Sequence, residues 1–304
     1  NKIWNASRFV LSNLEGSSRN ADFDADFLSS DDIYILSKLN DTITEIAAAL
    51  RKYRFNDAAS AIYDFFWHHY CDRYIEYAKA RLFGESQEEK TRTQNVLYSV
   101  LSNSLKLLHP FMPFMTEAIW ELLPRDDDLP LMVSPWPKPL KLSFDREVAE
   151  NVMQKYELIR AGRNLRAEYN IPPGKKMTFA IKPSGEKESH FLIQERDNIA
   201  QMLRASEVTV DMDLSSARAA PSAITPLGTV YLFLEGQIDV EAEAERWRKQ
   251  YQKVNDDLER VKRKLENRDF LEKAPPEVVQ KQKDRLSALT TQAKKINKNL
   301  TLLQ

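Results

Sequence analysis

The feature that most constrains this chain lies near its end. Trp247, Tyr251, Val254, Leu258, Val261 and Leu265 recur at alternating spacings of four and three. After a break at Lys273–Ala274–Pro275–Pro276–Glu277, the alternation returns in Val279, Gln282, Leu286, Leu289, Ala293, Ile296, Leu300 and Leu303. A stripe this narrow, with a period near 3.5, cannot face a wide core. It asks for one partner helix, and the prolines between the runs supply the reversal that provides it. The pattern predicts an antiparallel coiled-coil hairpin over residues 239–304. At 1.5 Å per residue each helix would reach roughly 40 Å, so the hairpin projects as an arm.

Charge sets this arm apart. From Glu241 onward there are 16 lysines and arginines against 11 acids, and the remainder holds 28 against 34. A basic tail on an acidic body suggests a polyanionic partner. Positions c and g of the heptad form one flank, and there stand Lys253, Arg260, Lys264, Lys281, Arg285 and Lys295 against one acid, Asp257. A reversal near Leu271–Glu272 would bring Arg260 and Arg285 level across the seam. Arginine suits such a place, because its flat guanidinium stacks on bases and also pairs with phosphate.

Upstream, residues 1–170 read as an antiparallel bundle of helices with short loops. Ile3, Val10 and Leu14 form one stripe. Asp31 and Asp32 open a second helix, their charge favouring its N-terminus. A third runs from Asn56 to near Gly84 and a fourth from Glu88 to His109. Pro113 restarts a helix that ends at Pro124, and another spans Asp145–Tyr169. His109–Phe114 reads as a helix break with aromatic core packing. At Pro172–Pro173–Gly174 the period changes to that of strands. Residues 171–238 are a small α+β insert with strands at Met177–Lys182 and Val230–Gly236, a weaker one at Glu207–Met212, and a helix between. The fold class is mainly α.

Several chemistries have no carrier. The seven glycines form neither a GxxxxGK[ST] nor a GxGxxG loop, so a nucleotide site is not expected. No nucleophile triad or paired-carboxylate motif stands out. Cys71 is the one cysteine, which excludes an intrachain disulfide. His68, His69 and Cys71 lie close together, but structural zinc needs four ligands and no second pair is near, so no metal is expected. No apolar run of about 18 residues could span a bilayer, and a cytoplasmic monomer is the expectation. Asn1 begins the sequence, and Ile3–Leu14 reads as the middle of a longer protein.

Specific runs carry a resemblance. They are Lys2–Phe9, Phe55–Glu76 and Leu107–Leu123, then Ile159–Lys175, Gly236–Glu243 and Lys264–Val279. Together they resemble valyl-tRNA synthetases, of class I, over essentially the whole chain. The first three are shared more loosely with isoleucyl and leucyl enzymes. Arg163–Lys175 followed by the hairpin is more specific to the valyl group. Arg246–Trp247 departs from the usual Arg-Leu, and Glu266 replaces a small residue. The family's His-Ile-Gly-His and Lys-Met-Ser-Lys-Ser signatures do not occur in the sequence. The resemblance therefore implies that ATP and Mg belong to upstream catalytic and editing domains, and that this segment alone holds no active site or cofactor. It implies a bundle that binds the anticodon stem-loop of tRNA(Val) and a hairpin that touches the tRNA outer corner.

Lys2 and Phe9 share a helix face about 100° from the apolar stripe. An anticodon platform needs such a pairing of ring and cation, and the matching family positions contact the anticodon. Alternatively Phe9 packs under a neighbouring helix and Lys2 is solvated. For the arm, the family's contacts point to Arg260 and Arg285. Arg163 and Arg166 are weaker tRNA candidates, weighed against ion pairs with Asp72 or Glu76. The reading from another class is a helical scaffold whose hairpin binds a protein.

Overall fold

A computed structural model of the chain describes residues 1–14, 27–125, 127–142, 144–214, 220–234, 240–267 and 276–302. The chain divides into two compact units, Asn1–Glu157 and Leu158–Gln304. The expected boundary at 238/239 lies outside the described residues.

The first unit is helical: α1 Lys2–Ser12, α2 Ser30–Arg51, α3 Phe55–Asp64, α4 Ile75–Leu82, α5 Gln87–Leu108 and α6 Pro113–Trp120. α2 is the central member and packs on α3 and α5. It contributes the fully buried Tyr34, Ile35, Leu36, Leu39 and Ile46, and α5 answers with Val96, Leu97, Val100, Leu101 and Leu105. Serines start the two longest of these helices: Ser29 accepts from the Asp32 amide and Ser86 from the Glu89 amide, each satisfying an orphan donor.

Three expectations need correction. The helix expected from Asn56 to Gly84 is interrupted between α3 and α4 by a π-helix, Phe65–Tyr74. Six consecutive ring-bearing residues, Phe65 to Tyr70, crowd this stretch. The wider turn puts Phe65, Phe66, Tyr70 and Tyr74 in the core, and such widened turns are frequent at functional sites. The helix from Pro113 ends at Trp120, where Arg125 caps the Trp120 carbonyl at 3.2 Å. Phe114 in the His109–Phe114 break is 91 % exposed, so it takes no part in core packing.

Asp31 and Asp32 do more than favour a helix end. Both are fully buried. Asp32 completes a capping box with Ser29 and also receives Tyr74 Oη at 2.5 Å and Arg81 at 3.0 Å. Asp31 receives Lys155 Nζ at 2.5 Å and Tyr156 Oη at 2.6 Å. The Lys155–Asp31 pair is wholly enclosed and ties α7, Arg146–Glu168, to the start of α2.

The second unit holds a four-stranded sheet, β1 Met177–Pro183, β2 Ala205–Val210, β3 Ser222–Thr225 and β4 Gly228–Phe233, in the order β2-β1-β4-β3. β1 runs parallel to β2 through a crossover of α8 Glu186–Gln194 and α9 Arg196–Leu203, and antiparallel to β4. The single helix expected in the crossover is thus two, parted at Glu195. β3 was not anticipated. Its four residues alternate between exposed and half-buried, so little apolar signal marks them. Gly228, the first residue of β4, has φ +145°, and a Cβ there would stand 2.2 Å from the Lys182 carbonyl. Only glycine fits that position.

Two helices of 27 residues complete the unit, α10 Val240–Glu266 and α11 Pro276–Leu302. They pack along each other. Trp247 and Val254 of α10 cluster with Leu289, Ala293, Ile296 and Leu300 of α11. The buried side of α10 carries Trp247, Val254, Leu258 and Val261, four members of the alternating pattern. Trp247 meets Tyr169 edge-on, with ring centroids 6.0 Å apart. Among the described helices none is long and apolar enough to cross a membrane.

Candidate nucleic-acid interface

The face of α1 that carries Lys2 and Phe9 lies along the π-helix and α4. Lys2 is not merely solvated: its Nζ sits 2.5 Å from Asp72 Oδ1 and 4.0 Å over the Trp67 ring. One turn and more along, Lys79 Nζ lies 5.5 Å over Phe9 and 2.6 Å from Glu76. Phe9 is half-buried, so part of its ring remains accessible. Both residues therefore sit in a row of ring–cation contacts. Each contact is attractive because a ring face is electron-rich.

Sequence reasoning missed the neighbours of Lys2. Trp67 stacks on Tyr63 with centroids 5.3 Å apart and planes 22° apart. Tyr63 is 53 % exposed, and His68 meets it edge-on at 6.2 Å. His68 Nδ1 in turn lies 3.4 Å from Asp72. A second surface also went unread, the turn from α2 to α3. Tyr53 there is 81 % exposed at φ +57°. It meets Phe55 edge-on at 6.4 Å, flanked by the exposed Arg51, Lys52 and Arg54. Two aromatics interleaved with three cations over Arg51–Phe55 was a signal available in the sequence.

A polar network behind this face fixes the π-helix. Tyr34 Oη lies 2.5 Å from His69 Nδ1 and receives Arg73 at 2.7 Å. His69 Nε2 lies 3.2 Å from Asp64. Burial first, and the Arg73 charge second, pull the His69 imidazole down to about 4, so it is neutral at neutral pH. Donation from the tyrosine to Nδ1 and from Nε2 to the carboxylate is the tautomer that satisfies every partner. Burial pushes the Cys71 thiol up to about 12, which leaves it an unreactive packing residue. His68, His69 and Cys71 thus serve different neighbours, and no group of three or more potential metal ligands is gathered among the described residues.

On the arm, Lys253, Arg260, Lys264, Lys281 and Arg285 are all exposed. Asp257, the one acid on that flank, pairs with Arg260 at 3.1 Å. The side chain of Lys295 lies outside the described residues. Arg163 and Arg166 take a different place from the ion pairs weighed for them. Arg163 donates to the Met202 carbonyl at 2.9 Å. Arg166, 6 % exposed, donates to the carbonyls of Leu203, Arg204, Pro172 and Lys175. Asp72 and Glu76 are instead taken by Lys2 and Lys79. The two arginines thus clamp the carbonyl-rich end of α9 and the loop before β1, where orphan acceptors need donors.

Comparison with known proteins gives two matches along the chain. Residues 32–181 match the family model described as the anticodon-binding domain of tRNA ligase. Residues 239–304 match the valyl tRNA synthetase tRNA binding arm. The valine–tRNA ligase of Geobacillus stearothermophilus is 38% identical over 284 residues, covering 93% of this chain and 32% of the relative. That of Carboxydothermus hydrogenoformans is 38% identical over 303 residues, 100% of this chain and 34% of the relative. That of Bacillus subtilis is 36% identical over 289 residues, 94% and 32% respectively. The chain spans about a third of the length of these curated relatives. With an anticodon-binding domain followed by a tRNA-binding arm, it belongs to the valyl-tRNA synthetase family.

Proposed function

We propose that this chain is the tRNA-recognising part of a cytoplasmic, monomeric valine–tRNA ligase. The bundle, residues 1–170, holds the anticodon stem-loop of tRNA(Val) through Lys2 and Phe9. Residues 239–304 form an antiparallel coiled-coil arm that meets the outer corner of the tRNA through Arg260 and Arg285, with Lys253, Lys264, Lys281 and Lys295 on the same flank. Residues 171–238 form the domain between. Valine activation with ATP and Mg, and editing, belong to upstream domains of the same polypeptide.

The observation that carries this reading is the cationic flank of the arm. Five of its six cations are described, and all five are exposed on helices whose apolar residues Trp247, Tyr251, Val254, Leu289, Ala293, Ile296 and Leu300 form one cluster. A protein-binding scaffold would instead spend a second apolar stripe on its partner. α10 and α11 have equal length and pack start to end. Arg260 lies six residues from the end of one and Arg285 nine from the start of the other, an offset of roughly one helical turn. Two guanidiniums at neighbouring levels of such a hairpin would suit a compact, anionic target.

Filter binding of tRNA(Val) and tRNA(Ile) at two salt concentrations tests the proposal. Tighter retention of tRNA(Val), weakening with salt, is expected. Equal retention of both tRNAs would remove the claim of specificity, and retention of neither would favour a protein-binding scaffold.

A further inference from the structure

Two stretches of the helical unit expose apolar side chains that its own packing does not use. The first, Pro110–Thr116, runs into α6 and carries Phe114, 91 % exposed. The second, Leu129–Pro137, surrounds the 3-10 turn Leu131–Val133, where Met132 is 77 % and Val133 60 % exposed. The two adjoin, because Glu117, one turn along α6 from Phe114, accepts the Leu131 amide at 2.7 Å. Neither stretch holds a charged residue, in a sequence that is 29% charged. A solvated loop has no reason to avoid charge over nine residues running. A covered surface has one, since a charge there would lose its water. α6 also packs on α1. Ile3 of α1 and Met112, the residue before α6, share an apolar pocket of about 260 Å³ with Phe66 and Leu108.

We propose that this face is the seat of the polypeptide immediately upstream of Asn1, which lays an apolar surface over Phe114, Met132 and Val133 and an apolar side chain in the pocket. The inference rests on the reading of the chain as part of a longer ligase. The chain spans about a third of its relatives' length, so the remainder is ample to bring such a surface. In that ligase the upstream polypeptide enters the bundle at α1, whose first turn carries Ile3, and it therefore arrives at this face already tethered. A short tether supplies an effective concentration on the order of millimolar. A second copy would have to find the face from free solution. An RNA would need cations, and these two stretches offer none.

The test compares the 304-residue chain with the full-length polypeptide under brief hydroxyl-radical labelling read by mass spectrometry. Phe114 and Met132 should label strongly in the 304-residue chain and about 10-fold less, or lower still, in the full-length protein, where both become buried. Diluting the 304-residue chain should not change its labelling, and added tRNA(Val) should protect neither residue. Phe114→Ser with Met132→Ser should leave the circular dichroism of the chain unchanged, because both side chains are exposed. With a protease site inserted before Asn1, the cleaved wild-type halves should co-elute. The double variant should raise the Kd between the halves about 10- to 100-fold, the range for loss of one large buried side chain. If the full-length protein charges tRNA(Val) yet both residues label as in the 304-residue chain, the seat is overturned while the ligase reading stands. If it charges no tRNA, the ligase reading fails, and the labelling decides the seat by itself. Halves of the double variant that hold together as tightly as wild type would overturn the apolar contact. Protection that appears when the 304-residue chain is concentrated assigns the face to a second copy, and protection by tRNA(Val) assigns it to RNA; either overturns the proposal.

Discussion

Acidification should destabilise the helical unit through one residue, His69. Its imidazole is held neutral, with its pKa lowered from the usual 6.5 to about 4 by burial and by Arg73, against the opposing pull of Asp64. Tyr34, Asp64 and Arg73 all face the ring, and Lys38 adds a further positive charge nearby. Between those two values the unfolded chain binds a proton that the folded chain refuses. Stability must therefore fall as pH drops from about 6.5, and the contribution is fully lost below about 4. A difference of roughly two and a half pH units corresponds to about 3 kcal/mol. The assay is urea unfolding followed by tryptophan fluorescence at steps from pH 7.5 to 4. His69→Gln is the comparison, since its amide can accept from Tyr34 and donate to Asp64 without titrating. Wild type should lose about 3 kcal/mol more than this variant across the window. Parallel stability curves for the two proteins would refute the assignment of a neutral, enclosed His69.

Lys155→Met should cost about 3–5 kcal/mol, because it leaves Asp31 ionised in a site where both partners are fully enclosed. Adding Asp31→Asn should recover a large part of that loss in the same unfolding assay, and no recovery would contradict the ion pair as the cause. Gly228→Ala should destabilise the sheet by at least about 2 kcal/mol, since both its φ of +145° and the Lys182 carbonyl oppose a side chain. A loss under about 0.5 kcal/mol would show that the β3–β4 turn relaxes freely.

The long helices were largely legible because they leave periodic stripes, and some are marked at their starts by a capping residue or a proline. Ser29 and Pro113 mark their starts as the residue types predict. The π-helix was not legible. Its signature is one extra residue per turn, and a run of six rings gives no apolar period in which to see it. β3 escaped for a related reason, since four residues, two of them polar, show no clear alternation. Asp31 and Asp32 show a deeper limit. A sequence tells that acids favour a helix start, but not that Lys155, Tyr156 and Arg81 will close over them. At the candidate site, Lys2 and Phe9 were singled out by helix face and resemblance. Tyr63 and Trp67 were hidden inside a run rich in aromatics, where core and surface rings look alike. Arg166 drew notice for its charge, yet its partners are backbone carbonyls, which every residue possesses and no pattern distinguishes.

The central claim is that one chain holds tRNA at two separated places, and the arm decides it. Arg260 is 76 % exposed and Arg285 is exposed. Replacing both with alanine should leave thermal stability almost unchanged, as exposed charges contribute only about 0–1 kcal/mol. The measurement is the affinity of this double variant for whole tRNA(Val) and for the isolated anticodon stem-loop. The account predicts weaker binding to whole tRNA with binding to the stem-loop intact. Equal losses for both RNAs, or no loss with either, would contradict it.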